Sequence, residues 1–509
     1  MAKKKSKRDQ KLKDRKDLPA QGPAVRKSFA EVMAEEVDQS WILPVVEIEE
    51  SKYPRIYTRL IDIDLFFAPA VGSRIEIAGP ASNGKSTLCY IMVGTLLRTC
   101  KKCLTMAVDW VDDDTGEIQS VCKCRKNDLM EGVIADTEKS AGDAIWLNRW
   151  GCRVGTGFKT HTHPSGGFEI LEPDEERPRL HILRPIVGGA MYAFLQKALS
   201  DGAVDFAVID CLNSLLPGEV MDKEAGSRSP GANARMHWDG LRRMVSSQLA
   251  QLNRFKGQAT IIWTNHLISN IGAQWDKETE AGGGAPKLES DQKLRLVYSK
   301  TNDGKKELEF DCYRDTYFRV TKGKKGAASG AEGSFRLYLN EVKHNNVICM
   351  PGDTDDPDKI YAFLTEIGLC EDKKSKYVVL GREFKRVQDV KAFLSREDIR
   401  MECRFWIGAI KMSTMGRAYL NYENYCYSPF ESARRHYDAM LEILEKKIPG
   451  IRPGSAIEDP VGSSDGVEGT AGKDDRVHEG SGKDGGAVFD ELLGGEPTRR
   501  KKPRKGPRA

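Results

Sequence analysis

The segment GPASNGKSTL, residues 79–88, has the spacing G-x-x-x-x-G-K-[ST] of a loop that holds nucleotide phosphates. In such a loop, backbone N–H groups and the N-terminus of the following helix face the phosphates. Lys85 is placed to reach the β- and γ-phosphates, and Ser86 is placed to ligate Mg²⁺. The predicted nucleotide-binding residues of this loop are Gly79, Pro80, Ala81, Ser82, Asn83, Gly84, Lys85, Ser86 and Thr87. Many unrelated proteins share the motif, so it predicts a bound nucleotide without predicting a specific activity.

Two further segments carry acidic groups that could complete this site. FAVID ends in Asp210, whose carboxylate we expect close to Mg²⁺, although an acid at the end of a strand can equally cap a loop. In VIADTEKS, Glu138 is placed to polarise an attacking water, and Asp136 is the alternative two residues earlier. Trp146 has a ring suited to stacking on adenine, and a position in the core fits the sequence equally well.

Four cysteines mark the two ends of a segment at about residues 100–128. Cys100-x2-Cys103 and Cys122-x-Cys124 flank a predicted hairpin with DDDTGE at its tip. Four thiolates suit tetrahedral Zn²⁺, which would supply folding energy to a segment with little core of its own. The second pair is one residue short of the usual C-x2-C, so free or partly buried cysteines are the alternative.

A second unusual segment, at about residues 156–179, contains THTHPSGG. His161 and His163 could join Cys152 in another metal site, but this spacing is unspecific. We therefore interpret the segment as a surface loop.

The elements that must position these residues alternate between strands and helices. RIEIAG predicts a strand before the phosphate loop, and KSTLCYIMVGTLLRT predicts a helix after it. Short apolar runs separated by helical stretches predict an α/β fold with a mostly parallel, twisted sheet and helices on both faces. The later predicted strands are GVIAD (132–136), VDFAVID (204–210), ATIIWTN (259–265) and KLRLVYS (293–299).

Four regions follow one another along the 509 residues. They are a basic arm with a short helix (1–50), an α/β core with both insertions (51–350), a small C-terminal α/β domain (351–450) and a disordered charged tail (451–509). SFAEVMAEEVDQS in the first region has helical spacing and would pack on a neighbouring subunit or on its own core. KYVVLGREFKRVQDVKAFLS in the third region predicts strands followed by a helix. The tail has few large apolar residues, which is typical of disorder.

The composition limits the class of protein. Hydrophobic residues make up 39% and charged residues 30% of the chain. Because the chain has no run of about 18 apolar residues and no secretory signal, we predict a cytoplasmic protein without a membrane partner. The twelve cysteines then suggest free or metal-bound thiols. Both termini are basic, which indicates either solvated tails or attraction to nucleic-acid phosphates.

Taken in order, these segments resemble the RecA family of DNA recombinases. The resemblance covers about residues 55–340, apart from the two insertions, and depends most on ALSDGAVDFAVIDCLNSLLPGEVMDKEAGS, ANARM and TNHLISNIGAQWDKETEAGGGAPK. It implies a RecA-like P-loop ATPase core. It also implies that Glu138, not Asp136, is the catalytic glutamate, and that Asp143 and Trp146 of DAIW contact adenine.

Family members bind DNA with two loops, which correspond here to residues 217–233 and 269–286. Both segments read as long glycine-containing loops, and loops beyond about 12 residues are usually functional or disordered. A tryptophan in such a polar loop could insert between bases, which stabilises by about 1–3 kcal/mol per stacked base. The predicted DNA-binding residues are Arg228, Arg235, Ile271, Gly272, Trp275, Gly282 and Gly283.

Two further features of the family concern the γ-phosphate. Asn265 and His266 of TNHL match a pair that senses this phosphate and couples it to the second DNA loop, although the second residue is usually glutamine. A histidine can also donate a hydrogen bond to a phosphate, but the pH dependence of the coupling would differ. Basic residues also complete the site across the subunit interface; the candidates are Lys300, Lys305 and Lys306, with a solvated hairpin turn as the alternative.

The resemblance implies an ATP-dependent recombinase that forms helical filaments on single-stranded DNA and promotes homologous pairing and strand exchange. Its expected partners are single- and double-stranded DNA, and its expected cofactors are ATP and Mg²⁺, with Zn²⁺ in the cysteine segment. The residues assigned to DNA-dependent ATP hydrolysis are Glu138, Lys85, Asn265 and His266. The alternatives are a hexameric DNA helicase or branch-migration motor, and a paralogue that assists a recombinase with ATP as a switch. The two DNA-loop segments favour the recombinase.

Overall fold

The computed structural model describes most of the chain between residues 54 and 403. The described residues are 54–104, 106, 109–111, 118–120, 122, 124, 128–176, 178–221, 231–255, 259–269, 278–302, 312–325, 327–344, 347–366, 370–373, 376–379, 382–396, 399–400 and 403. The predicted basic arm, its helix and the charged tail lie outside these residues.

The helices and strands alternate through the first two hundred described residues, and strands dominate afterwards. The helices are α1 (Lys85–Leu96), α2 (Ala144–Arg149), α3 (Gly188–Ser200), α4 (Gly218–Met221), α5 (Ala232–Phe255), α6 (Ala285–Glu289), α7 (Asp356–Glu366) and α8 (Val387–Leu394). The first strands are β1 (Arg74–Gly79), β2 (Asp109–Val111), β3 (Ile118–Ser120), β4 (Gly132–Asp136), β5 (Phe158–Thr162), β6 (Phe168–Pro173), β7 (Leu180–Pro185) and β8 (Phe206–Asp210). The later strands are β9 (Thr260–Ser269), β10 (Glu278–Glu280), β11 (Gln292–Asn302), β12 (Tyr313–Gly323), β13 (Glu332–Tyr338), β14 (Val342–His344), β15 (Val347–Cys349), β16 (Cys370–Lys373), β17 (Lys376–Val379) and β18 (Arg382–Phe384).

Among the described residues, eleven strands form one sheet. Its order is β13-β12-β11-β1-β9-β8-β4-β7-β6-β5, with β10 paired to β9. The central strands β11, β1, β9, β8, β4 and β7 are parallel to one another. Antiparallel pairs extend the sheet at both edges. The predicted α/β fold class with a mostly parallel sheet is therefore confirmed.

The two faces of the sheet bury different apolar clusters because side chains alternate along each strand. On β8, Val208 packs in one cluster, which also includes the buried side of α1. Its neighbours Ala207 and Ile209 pack in the other cluster, with α3 and α5. Helices thus cover both faces, as parallel strands require.

The C-terminal helices α7 and α8 share the first of these clusters. Their apolar residues Ile360, Leu364, Val390 and Leu394 are almost fully buried there. The carboxylate of Asp356, at the start of α7, accepts the backbone N–H of Ile61 at 3.0 Å. The strands and the helix predicted from KYVVLGREFKRVQDVKAFLS are confirmed as β17, β18 and α8, and the bounds of the four predicted regions remain predictions.

Both insertions contain strand pairs. β2 and β3 form the predicted hairpin of the cysteine segment, with Trp110 opposite Gln119; its tip lies outside the described residues. The second insertion corrects the expectation of a loop, because β5 and β6 form a hairpin that continues the main sheet through β7. Apolar residues on both faces of β6 explain why this segment joins the sheet, because Leu171 packs in the first apolar cluster and Phe168 in the second. No helix in the described part of the chain is long and apolar enough to cross a bilayer.

Candidate active site

The phosphate loop connects β1 to α1 at the carboxyl end of the central strands. Gly84 ends the loop with a φ of 83°, in the left-handed region that favours glycine. Lys85 starts α1 with its side chain almost fully buried, and its Nζ donates to the Pro80 carbonyl oxygen at 2.7 Å. Burial lowers the pKa of Lys85. The ammonium group thus lies inside the loop that was predicted to bind nucleotide phosphates.

Asp210 is the centre of a buried hydroxyl cluster at the end of β8. Its Oδ1 accepts from Ser86 Oγ at 3.0 Å and from Thr264 Oγ1 at 2.7 Å. Its Oδ2 accepts from Tyr90 OH at 2.9 Å and from Ser140 Oγ at 2.8 Å. Hard oxygen ligands are those that Mg²⁺ takes in proteins, and the paired Ser86 and Asp210 fit such an ion. The structure brings together the two residues that were predicted to hold it.

Glu138 follows β4 and faces the same site. Its Oε1 accepts from Ser214 Oγ at 3.2 Å and lies 2.8 Å from His266 Nε2. About a third of the side chain is exposed, at 32%. The carboxylate is therefore both held in place and open to water.

Asp136, the alternative to Glu138, has a different environment. It is 1% exposed, and its Oδ1 accepts the backbone N–H of Ser140 at 2.9 Å. Arg184 Nε lies 3.8 Å from its Oδ2. Burial raises the pKa of Asp136. This carboxylate holds the turn after β4, which leaves Glu138 as the acidic group that can reach a water molecule.

His266 connects Glu138 to the phosphate loop. Its Nδ1 lies 3.4 Å from Lys85 Nζ, and its Nε2 lies 2.8 Å from Glu138. A neutral imidazole protonated at Nε2 satisfies both contacts, because the ammonium donates to Nδ1 and Nε2–H donates to the carboxylate. This residue links a phosphate-loop lysine and a candidate base directly.

Asn265 points to the opposite side of β9, because neighbouring side chains of a strand alternate. Its Nδ2 donates to Glu76 Oε1 at 3.1 Å and to the Ala281 carbonyl oxygen at 2.9 Å. Lys293 Nζ lies 3.3 Å from Glu76 and 2.7 Å from Glu280. Burial raises the pKa of Glu76. The structure therefore separates Asn265 from the other three residues assigned to hydrolysis and assigns it to a buried ionic network.

The adenine candidates lie on α2. Asp143 caps this helix, with the backbone N–H of Trp146 donating to Oδ1 at 3.1 Å. The Trp146 ring is half-buried and meets Trp150 edge-on, with 5.2 Å between ring centroids. Trp146 thus contributes to the core through one part of its ring, and Asp143 stabilises the helix that presents it.

Three of the DNA-binding candidates lie among the described residues. Arg235 is exposed in the first turn of α5, and its guanidinium lies 3.1 Å from Glu219 of α4. Gly282 and Gly283 have φ values of 89° and 76°. A Cβ on Gly282 would lie 3.2 Å from the His237 ring, so the end of the second loop segment rests on α5. The candidates outside the described residues are Arg228, Ile271, Gly272 and Trp275.

The candidates for contact across a subunit interface are only partly described. Lys300 of β11 lies over the stacked rings of Tyr298 and Tyr317, at 5.6 and 5.8 Å from their centroids. Lys305 and Lys306 lie outside the described residues.

Sequence reasoning missed two contacts between β11–β12 and the phosphate loop. Ser299 Oγ donates to Asn83 Oδ1 at 2.9 Å, and Arg314 Nη1 donates to the Ser82 carbonyl oxygen at 2.7 Å. More than two hundred residues separate each pair along the chain. The pairing of β11 with β1 and of β12 with β11 brings them together, and no local pattern in the sequence signals that register.

The four cysteines of the first insertion converge. The sulfur atoms of Cys100, Cys103, Cys122 and Cys124 all lie within 4.8 Å of one another. Cys103 Sγ and Cys122 Sγ are 3.5 Å apart, and all four thiols are free of disulfides. Four convergent sulfurs fit the ligand set of structural zinc. By contrast, no group of three metal-ligating atoms among the described residues includes Cys152, His161 or His163.

Comparison with known proteins gives one family model and several relatives. Residues 176–334 match the model of the RecA N-terminal domain. The chain is similar to protein RecA of Aquifex aeolicus strain VF5, with 28% identity over 209 residues, 41% of this chain and 54% of that protein. It is also similar to protein RecA of Aquifex pyrophilus, with 26% identity over 268 residues, 52% of this chain and 69% of that protein.

Among solved structures, the crystal structure of the RadB recombinase matches 55% of this chain and 96% of its own length. Its TM-score is 0.33 and its identity is 14%. The match to the first of the two RecA proteins spans about half of that protein's length.

Proposed function

Because the chain belongs to the RecA family of recombinases, we propose that it is an ATP-dependent DNA recombinase. It forms filaments on single-stranded DNA and promotes homologous pairing and strand exchange. Family members are ATPases that bind DNA and form filaments. The observation that carries the proposal is the grouping of Lys85, Ser86, Asp210, Glu138 and His266 at the carboxyl ends of four adjacent parallel strands.

Lys85 would hold the phosphates of ATP, and Ser86 and Asp210 would hold Mg²⁺. When bound, ATP supplies the phosphoryl group that is transferred to water. Lys85 would then exchange the Pro80 carbonyl oxygen for a phosphate oxygen, a stronger charge-assisted partner. Loop N–H groups and the start of α1 add the favourable dipole of a helix N-terminus.

Glu138 would orient the attacking water and accept its proton. Oε1 is already engaged by Ser214 and His266, and Oε2 makes no hydrogen bond to a described residue. One oxygen is thus held while the other can contact a water molecule, which suits a positioned general base.

Strand β9, which carries His266, connects this site to the second DNA-loop segment. Ala281, just after β10, donates its backbone N–H to the His266 carbonyl oxygen at 3.1 Å and accepts from the Asn265 side chain at 2.9 Å. A displacement of His266 by nucleotide would therefore move β9, Ala281 and the neighbouring Gly282 together. We infer that these two hydrogen bonds of Ala281 couple the binding of nucleotide to the position of the second DNA-loop segment.

The test is ATP turnover of the purified chain with and without single-stranded DNA, together with electron microscopy of the mixture. We expect DNA to stimulate turnover and ATP to promote helical filaments. Lys85→Ala should abolish both, because the phosphates lose their main cationic contact. Turnover that is indifferent to DNA, or DNA pairing that survives Lys85→Ala, would contradict the proposal; the second result would favour an ATP-switch paralogue.

For the first insertion we propose one structural Zn²⁺ bound by Cys100, Cys103, Cys122 and Cys124. The convergence of four sulfurs supports it, in a segment whose described residues include one pair of three-residue strands. Metal analysis of the purified chain should detect zinc, and Cys103→Ser together with Cys124→Ser should lower the zinc content by one ion per chain. Unchanged zinc content in that double variant would refute the assignment.

A further inference from the structure

Three metal-ligating side chains meet beside the phosphate loop, away from the cysteine segment. Glu138, Cys211 and His266 each offer one ligand atom, and these atoms lie within 4.8 Å of one another. Cys211 is fully buried, and the other two side chains are partly exposed. The described residues contain one other such group, the four cysteines.

The sheet order explains why these three residues meet. Glu138 and Cys211 follow β4 and β8, and His266 lies within β9 opposite the last residue of β1; β4, β8 and β9 are adjacent parallel strands. Parallel neighbours place their carboxyl ends at one edge of the sheet, so three side chains distant in sequence share one small volume. The order of three adjacent strands thus brings the cluster together.

The donor atoms are one sulfur, one nitrogen and one oxygen. Mg²⁺ prefers oxygen ligands alone, whereas Zn²⁺ binds thiolate, imidazole and carboxylate in tetrahedral sites. Three protein ligands leave a fourth position for water. This set therefore differs in kind from the oxygen pair of Ser86 and Asp210 next to it.

The charges around the cluster also suit a dication. Asp210 and Glu138 carry negative charges and Lys85 carries a positive one, so these three groups sum to minus one. A bound Zn²⁺ would release the Cys211 thiol proton to solvent, which adds a second net negative charge. The ion and the four side chains would then sum to zero, which limits the repulsion that Lys85 alone would cause.

We propose that Glu138, Cys211 and His266 form a second zinc site, which inhibits ATP turnover when it is occupied. The inhibitory part depends on the proposed function, because it requires Glu138 to act on water. A carboxylate that coordinates zinc is a much weaker base, and His266 bound to zinc through Nε2 cannot hold Glu138. Zinc would thus switch off hydrolysis without displacing the phosphate loop.

Zinc binding can be measured without ATP or DNA, by competition with a chromophoric chelator. We expect two zinc ions per chain in the unsubstituted protein and one in Cys211→Ser, with affinity for the second ion lowered at least about tenfold. The control Cys152→Ser removes a buried thiol outside the cluster and should retain two. The double variant Cys103→Ser and Cys124→Ser should retain only the ion held by Glu138, Cys211 and His266.

Turnover supplies the second measurement. With Mg²⁺ in excess, added Zn²⁺ should lower turnover of the unsubstituted chain. In Cys211→Ser the rates with and without added Zn²⁺ should be nearly equal. If Cys211→Ser does not fold, His266→Gln provides the same comparison of zinc stoichiometry. Equal zinc binding in the unsubstituted chain and Cys211→Ser would overturn the site, and binding without inhibition would overturn its regulatory role. If the chain lacks ATPase activity, the chelator measurement still decides the site alone.

Discussion

Two neighbouring residues of β9 serve two regions of the molecule that differ in almost every physical respect. His266 faces a partly open pocket, where it contacts Glu138 and Lys85. Asn265 faces a closed network, where it contacts Glu76, which is fully buried. The first region exposes a carboxylate to water, and the second isolates charges from it.

The two sides of β9 therefore serve different purposes: the His266 side suits catalysis, and the Asn265 side holds neighbouring segments together. A base that acts on water needs a solvent path, so the His266 side tolerates exposed polar groups. A buried carboxylate needs a cationic partner and hydrogen bonds, which Lys293 and Asn265 supply to Glu76. Changes on the His266 side should therefore alter turnover more than stability, and changes on the Asn265 side should do the reverse.

The largest effect is expected from Glu138→Gln. Its amide keeps the shape of the side chain but cannot accept a proton, so turnover should fall by about 10²–10⁴-fold. The free energy of unfolding should change by less than about 0.5 kcal/mol, because the side chain is partly exposed. Steady-state turnover and denaturant unfolding test both statements, with the exposed Glu172→Gln as control. A large loss of stability would break the distinction between the two sides.

Lys293→Met tests the other side. It leaves Glu76 and Glu280 without their shared cation in a buried site, so the free energy of unfolding should fall by about 3–5 kcal/mol. The exposed Lys287→Met should change it by less than about 0.5 kcal/mol. Urea unfolding measures the difference. Adding Glu76→Gln to Lys293→Met should recover part of the loss; a further loss would argue against a buried charge as its cause.

Acid should weaken the region next to the Asn265 network. Burial lowers the pKa of His237 to about 4, from an ordinary value of 6.5. The unfolded chain binds this proton at a higher pH than the folded chain does. The contribution of neutral His237 to the free energy of unfolding is therefore complete above pH about 6.5, and about 3 kcal/mol of it is lost as pH falls toward 4. His237→Gln should remove this part of the acid dependence, measured by urea unfolding at pH 7 and pH 5.

The matched control is the exposed His161→Gln, which should keep the acid dependence of the unsubstituted chain. Equal acid dependence in His237→Gln and His161→Gln would mean that other groups cause it.

Asn265→Ala should cost about 1–3 kcal/mol of unfolding free energy. The substitution leaves Glu76 Oε1 and the Ala281 carbonyl oxygen without the Asn265 donor. Turnover without DNA should change little, whereas its stimulation by DNA should fall, because Ala281 loses one of its two attachments to β9. Unchanged DNA stimulation would show that the backbone contact of Ala281 with His266 is sufficient.

The smallest effect is expected from His266→Gln. The glutamine amide can still donate to Glu138, so turnover should change by about fivefold, equivalent to about 1 kcal/mol. Unfolding should be unaffected within about 0.5 kcal/mol. His266→Ala, which removes the donor, should lower turnover further than His266→Gln. Equal rates in these two variants would indicate that the contact with Glu138 does not matter.

The sequence predicted the parts of the site that local patterns encode. Gly84, Lys85 and Ser86 form a contiguous motif, and the apolar run FAVID places Asp210 at the end of a strand. Hairpin formation in the cysteine segment also followed from its two cysteine pairs. Each of these rests on neighbours in the chain, which is the information that a single sequence carries most clearly.

The parts that were missed depend on alternation or on distant register. Asn265 and His266 were grouped because they match a pair of the family that senses the γ-phosphate, yet adjacent residues of a strand face opposite sides. Contacts of Ser299 and Arg314 with the phosphate loop depend on the position of β11 next to β1. The meeting of Cys211 with Glu138 and His266 likewise requires the order of three strands.

The hairpin of the second insertion has a consequence for the solubility of the folded chain. Within the described residues β5 is the last strand of the sheet, and such an edge presents unpaired N–H and carbonyl groups to other chains. Its residues from Lys159 to Thr162 are exposed, and among them Lys159 and His161 are poor partners for an apolar strand. A charged and polar edge of this kind disfavours strand addition from a second molecule, so the insertion lengthens the sheet while lowering its tendency to aggregate.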